Sequence, residues 1–254
     1  MPETELDRLI AVASELRRKC PWDRVQTIDS LAPFILEESY ELADAIDGGD
    51  VRKVKEELGD LLYLVLLCCL VCGESGGGIR EVAEGITEKM VGRHPAVFAP
   101  GEGSAETADR GTWYRKKMED GSGRRRFSGI PANLPALLRA EKVQHEASAV
   151  GFDWKDAAGA FEKLEEELDE LKRAVSGDGD VVHELGDLLF STVNLSRFLD
   201  ANAEIALLSS VARFCSRFSV MEKELEKRGQ SLEDATLDEM DSVWERCKDV
   251  KRGT

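Results

Sequence analysis

The sequence predicts an all-α protein made of two tandem copies of one helical unit, each forming a core of the four-helix-bundle type. Composition is the first reason. Of 254 residues, 33% are charged and only 6% aromatic, with Leu, Ala, Glu, Lys and Arg plentiful, a mix that favours helices over a β-sandwich. Patterning is the second, because no stretch carries a convincing period of two, the mark of a half-buried strand. The third is internal repetition. The pattern E-E-x-x-E, a turn and then E-x-x-D occurs at Glu37, Glu38, Glu41, Glu57 and Asp60, and again at Glu166, Glu167, Glu170, Glu184 and Asp187.

Helices are expected at about 3–18, 30–47, 51–73, 79–93 and 105–118, then at about 134–149, 156–175, 181–199, 203–228 and 232–249. Each break has the chemistry of a turn: Gly48-Gly49-Asp50, Gly76-Gly77-Gly78, Gly177-Asp178-Gly179-Asp180 and Arg228-Gly229. Ser30, with Pro33 in the first turn, marks the start of the second helix. The stretch from Asp120 to Pro131 has linker character and carries three consecutive arginines. The expected organisation is a domain over 1–119, a linker over 120–133 and a second domain over 134–254.

The two halves correspond feature by feature. Cys20-Pro21-Trp22-Asp23 lies 131 residues before Gly151-Phe152-Asp153-Trp154, and each run places an aromatic ring and an aspartate just ahead of an acidic helix. The hexapeptide E-L-G-D-L-L is identical at 57–62 and 184–189. Lys89 and Arg93 answer to Arg213 and Arg217, and Trp113 with Lys117 answers to Trp244 with Lys248. Shared features in the same order indicate duplication of a five-helix unit.

The acidic residues carry the chemistry. Residues three or four apart share a helix face, so Glu167 projects with Glu170, and Glu184 with Asp187. The glycine-rich turn at 177–180 returns the second helix antiparallel and can bring the two acidic faces together. Like charges at this spacing destabilise an isolated helix by a few tenths of a kcal/mol per pair, and a divalent cation reverses that sign. Mg²⁺ suits such a set, because it takes carboxylate oxygens, waters and substrate phosphate oxygens. Gly59 and Gly186 stand mid-helix between two acids, where glycine costs about 1 kcal/mol relative to alanine; close helix approach or room for a ligand would explain them. Arg213 and Arg217 share a face of a helix whose apolar stripe includes Val211, Phe214 and Phe218, and guanidinium forks suit phosphate oxygens. Together these elements describe a site for a magnesium nucleotide or polyphosphate.

Other classes are disfavoured. A formal charge of −16 opposes binding to a nucleic-acid backbone, which relies on Lys and Arg. Residues 1–18 lack the apolar core of a signal peptide. The longest apolar run, Leu61–Cys72, is shorter than the roughly 18 residues a membrane span needs. A cytoplasmic protein without membrane attachment is expected. The six cysteines then read as reduced thiols, with Cys69 and Cys72 in an apolar helix rather than in a metal or redox motif.

The residues C-P-W-D at 20–23, E-E-S-Y-E at 37–41, E-E-L-G-D-L-L at 56–62 and R-H-P-A-V-F at 93–98 closely resemble the MazG family of nucleoside triphosphate pyrophosphohydrolases. So do G-F-D-W at 151–154, E-E-L-D-E at 166–170, E-L-G-D-L-L-F-S-T-V-N-L at 184–195 and V-W-E-R-C-K at 243–248. The resemblance implies tandem units like those of all-α NTP pyrophosphatases, a homodimer, and Mg²⁺-dependent hydrolysis of a nucleoside triphosphate to monophosphate and pyrophosphate. It also implies that the second copy is the catalytic one. Glu166, Glu167, Glu170, Glu184 and Asp187 would then be metal ligands or orient the attacking water, with Glu167, Glu170 and Glu184 as the catalytic carboxylates. Lys163, Arg213, Arg217, Trp244 and Lys248 would contact the nucleotide. A second site in the first half would comprise Glu37, Glu38, Glu41, Glu57, Asp60, Lys89, Arg93, Trp113 and Lys117.

This chain departs from the family pattern at several positions. Arg213 stands where lysine is common, and Asp180 and His183 stand where the first copy has Lys53 and Glu56. Phe34 of the first copy answers to Lys163 of the second. Two alternatives remain. A di-iron bundle needs Glu-x-x-His on two helices, and the chain offers only Asp180-x-x-His183. A non-catalytic helical module that binds nucleotide or regulates a partner would keep the same helical frame.

Overall fold

In the computed structural model, residues 4–98 and 125–247 are described, apart from 75 and 77. All regular elements among them are helical. Backbone contacts divide the chain into two units, Met1–Lys117 and Met118–Thr254.

Capping side chains decide where the helices of the first unit begin. Helix α1 (Glu5–Lys19) starts at Thr4, whose side chain accepts the Asp7 N–H while Asp7 accepts the Thr4 N–H. After a short 3-10 turn at Asp23–Val25, helix α2 (Ile28–Gly48) opens with the same reciprocal arrangement between Thr27 and Ser30. Ser30 is thus the third residue of α2 and not its cap, and Pro33 falls in the second turn. The capping box satisfies two free N–H groups at once, which fixes the start earlier than Pro33 suggests. Gly49, at φ +73°, ends α2, and Asp50 caps helix α3 (Val51–Gly73). Helix α4 (Ile79–Arg93) and the short helix α5 (Pro95–Phe98) follow.

The core of this unit is Leu31 of α2 against Leu64 and Leu67 of α3, flanked by Ile35, Tyr63, Cys68 and Val71. Arg17 ties the unit together. It donates to both carboxylate oxygens of Glu74 at 2.8 and 3.1 Å, and to the carbonyls of Asp23 and Gln26 at 2.6 and 3.0 Å. Cys69 is buried and Cys68 half-buried, and burial pushes both thiols above their ordinary pKa. No described helix is long and apolar enough to cross a membrane.

In the second unit, a turn at 125–130 leads to helix α6 (Ala136–Ser148). Helices α7 (Ala157–Val175), α8 (Val181–Phe198) and α9 (Ala203–Lys227) are capped by Asp156, Asp180 and Asn202, and helix α10 (Leu237–Cys247) follows. This last helix starts later than expected. Ser231 pairs with Asp234, and Thr236 pairs with Glu239, so residues 231–236 form turns that send Leu232 and Ala235 onto the Met221, Leu225 and Val243 cluster. The helix expected at 105–118, with Trp113 and Lys117, lies outside the described residues, as does Lys248.

Candidate metal centre

In the second unit, α7 and α8 are joined by only five residues, and Gly177 and Gly179 turn the chain at φ +101° and +132°. The side chain of Asp180 accepts the N–H groups of Val182 and His183. The hairpin brings one carboxylate oxygen each from Glu167, Glu184 and Asp187 within 4.8 Å of one another. Glu167 is 5% exposed, while Glu184 and Asp187 are half-buried.

Lys163 lies against this cluster, with Nζ 2.8 Å from Glu167 Oε1 and 3.1 Å from Glu166 Oε1. Those carboxylates, Glu167 first, hold its ammonium well above the ordinary lysine range. Glu167 Oε2 is buried and has no hydrogen-bond partner among the described residues. A buried polar oxygen without a partner is costly. Three carboxylates with one unsatisfied buried oxygen form a hard, oxygen-only donor set, which fits a hard divalent cation.

Glu170 stands apart from this trio, because Arg173, one turn further along α7, binds it at 3.0 Å. His183 Nε2 lies 3.3 Å from Asp187 Oδ2. Neither Arg173 nor His183 was expected at the site. The signal for Arg173 was its counterpart in the first copy, Asp44, which has the opposite charge.

In the first copy the clustered carboxylates are Glu38, Glu41 and Glu57. Glu41, the counterpart of Glu170, has no arginine at position 44 to draw it away, and it joins the cluster. Asp60 and Glu37 lie outside that trio, although both act on Glu38. The Glu38 carboxyl is pushed up by burial first and then by Asp60, Glu41, Glu57 and Glu37; Glu57 is pushed up by burial and then by Glu41. Phe34 packs edge-on against Trp22 at 5.5 Å, where the second copy offers Lys163.

A Cβ built on Gly59 or Gly186 meets nothing within 4 Å. Close helix approach within the unit therefore does not explain these glycines, and open space beside the acids remains as their effect. The basic residues are separate from the trio. Arg213 is exposed and donates to Ser210 Oγ at 2.6 Å, and Arg217 is half-buried. Trp244 packs on Phe214, 5.2 Å between ring centroids. Among the described residues, no hydrogen bond or ion pair joins Arg213, Arg217 or Trp244 to Glu167, Glu184 or Asp187. In the first copy Lys89 is exposed and Arg93 half-buried.

A helical hairpin with clustered carboxylates, present twice in one chain, defines an all-α class of protein with one acidic cluster in each unit. The model of the MazG nucleotide pyrophosphohydrolase domain matches residues 26–98 and 157–225, one segment in each unit. The chain belongs to the MazG family. It is 42% identical over 247 residues to the nucleoside triphosphate pyrophosphohydrolase/pyrophosphatase MazG of Thermotoga maritima, covering 95% of each chain. It is 38% identical over 257 residues to the nucleoside triphosphate pyrophosphohydrolase of Escherichia coli K12, covering 96% of this chain and 97% of the other. It also resembles the uncharacterized protein YabN of Bacillus subtilis, at 38% identity over 98% of this chain and 52% of the longer one.

Proposed function

We propose that the second unit hydrolyses nucleoside triphosphates to nucleoside monophosphate and pyrophosphate, with Mg²⁺ held by Glu167, Glu184 and Asp187. The observation that carries this reading is the buried Glu167 carboxylate, one oxygen bound to Lys163 and the other unpartnered, beside two further carboxylates. Magnesium bound there supplies charge neutralisation on the triphosphate and an activated water. In the reaction, a water oxygen forms a bond to the α-phosphorus while the bond from that phosphorus to the pyrophosphate oxygen breaks. The proton leaves the water for a site carboxylate, with Glu167 the first candidate.

The chain's own residues divide the remaining work. Lys163 bridges Glu166 and Glu167 and fixes the orientation of the buried carboxylate. Glu170 is held away by Arg173 and enters the site when that pair opens. Arg213 and Arg217 offer guanidinium forks for phosphate oxygens, and Trp244, packed on Phe214, offers a ring for stacking.

The protein acts as a homodimer in this reading. Leu207, Val211 and Phe214 of α9 are 54%, 52% and 55% exposed, and Leu185 and Leu189 of α8 are 45% and 50% exposed. Apolar stripes of this extent favour association. Free thiols at the described cysteines accord with the cytoplasm.

The test is to incubate the chain with each NTP and Mg²⁺ and to resolve the products. Monophosphate with pyrophosphate supports the proposal. Diphosphate with phosphate indicates different chemistry, and no turnover favours a nucleotide-binding module. Glu167→Ala and Asp187→Ala are expected to abolish turnover, with Glu38→Ala and Asp60→Ala keeping most of it. The opposite pattern would move catalysis to the first unit.

A further inference from the structure

The acidic face of α8 opens with the run His183-Glu184-Leu185-Gly186-Asp187. A histidine and a carboxylate four residues apart lie one above the other on a helix. Ligands at that spacing can share one metal ion, as the two histidines of H-E-x-x-H zinc sites do. Here an aspartate takes the second place. The first unit lacks this pair, because Glu56 stands where the second unit has His183.

Packing of the helix brings the two side chains together. His183 Nε2 lies 3.3 Å from Asp187 Oδ2. Two ligand atoms, each about 2.1 Å from a shared metal, stand roughly 3.0 Å apart in an octahedral site and roughly 3.4 Å apart in a tetrahedral one. The observed separation falls within that span. Asp187 also belongs to the trio with Glu167 and Glu184. The buried Glu167 Oε2, without a hydrogen-bond partner among the described residues, is an independent mark of a cation at the same place. The His183 side chain is 70% exposed, so its ring can turn toward a cation beside Asp187 without disturbing the core.

The chain has three histidines. His94 lies in the first unit, where its Nδ1 meets the Met90 carbonyl at 2.7 Å. His145 lies on α6, 3.6 Å from Glu141. Of the three, His183 is the one on the α7–α8 hairpin.

We propose that His183 joins the carboxylates as a nitrogen ligand and tilts the second unit toward a divalent transition cation over Mg²⁺. The inference rests on the function above only for the presence of a cation at the trio. Mg²⁺ takes oxygen ligands and keeps its waters, so it gains nothing from the ring. Imidazole suits later first-row ions, whose affinity for mixed nitrogen and oxygen sites rises from Mn²⁺ through Co²⁺. Mg²⁺ is then a cation that serves the site rather than the one it favours. The first unit, with Glu56 in place of the imidazole, offers oxygens alone.

The test loads the full chain with Co²⁺ or Mg²⁺ alone and compares it with His183→Glu, which places the first unit's residue at an exposed position. Proton NMR of the cobalt-loaded wild type is expected to show a far-shifted exchangeable resonance, the ring N–H of a cobalt-bound imidazole, and the variant should lack it. Cobalt on cysteine thiolates carries no such proton and is common to both proteins. By calorimetry, the ratio of Co²⁺ to Mg²⁺ affinity should fall about tenfold or more in the variant, the scale of loss when even a hydrogen-bonding partner of a ligand is removed. Absence of the resonance in the cobalt-bound wild type, its persistence in His183→Glu, or an unchanged ratio overturns the inference. Cation binding and pyrophosphate release without the imidazole signal remove the nitrogen ligand and leave the proposed function standing. The signal without turnover of any NTP does the reverse.

Discussion

Glu167 and Glu38 hold equivalent places in the repeat and meet different surroundings. Lys163 engages the first, while burial, and after it a ring of other carboxylates, raises the pKa of the second. The acids themselves were legible in the sequence, because helical spacing alone gathers them on one face. Which of them meet was not, since Arg173 withdraws Glu170 from one cluster and Asp44 leaves Glu41 in the other. Gly186 offers a direct probe at this scale. Alanine there meets no neighbouring atom and improves helix propensity, so Gly186→Ala should raise stability by up to about 1 kcal/mol. Where substrate or a second subunit approaches through that space, the same variant should lose turnover. Thermal unfolding and a pyrophosphate-release assay on one preparation measure both effects.

Helices were read from their breaks, and those breaks held wherever glycine or aspartate controls the chain, as at Gly49, Asp50 and Asp180. The start of α2 and the start of α10 differed from expectation for a shared reason: side chains at Thr27, Ser231 and Thr236 satisfy N–H groups in ways that spacing patterns do not specify. Asp180 also explains a departure noted in the sequence. It aligns with Lys53, but α8 begins one turn later than α3 relative to the shared hexapeptide, and Asp180 serves as its cap.

The α2–α3 hairpin carries a pH signature. Glu38 and Glu57 have folded-state pKa values above the ordinary glutamate value of 4.5, so the folded state favours their protonated forms. Their contribution to stability is full below that ordinary value and is lost as pH rises through the raised one. Glu38→Gln should therefore raise the melting temperature near pH 7.5 in the presence of EDTA, and have little effect near pH 4. A melting temperature that is lower at pH 7.5 would contradict the raised pKa.

For the whole molecule, the proposed cation binding and self-association each have a solution test. A cation that binds the folded state alone stabilises it by mass action, about 2.7 kcal/mol at a hundredfold excess over Kd. Calorimetric scans should show a higher melting temperature with Mg²⁺ than with EDTA, and Glu167→Ala should diminish that difference. Light scattering should give twice the mass of the 28.1 kDa chain; a monomer would leave the exposed stripes of α8 and α9 without the partner proposed for them.

The sequence by itself determined the helical class, the duplication and the acidic positions, because turn residues and a period near 3.6 are local properties of the chain. Tertiary structure alone decided which carboxylates meet and where an aromatic-walled cavity of the second unit lies. Cluster membership depends on which acids the two helices of a hairpin bring within reach of one another, and on which are engaged by a cation of their own helix, as Glu170 is by Arg173. The cavity joins Phe127, Gln144, Trp154 and Arg197, residues far apart in the chain that only packing brings to one place.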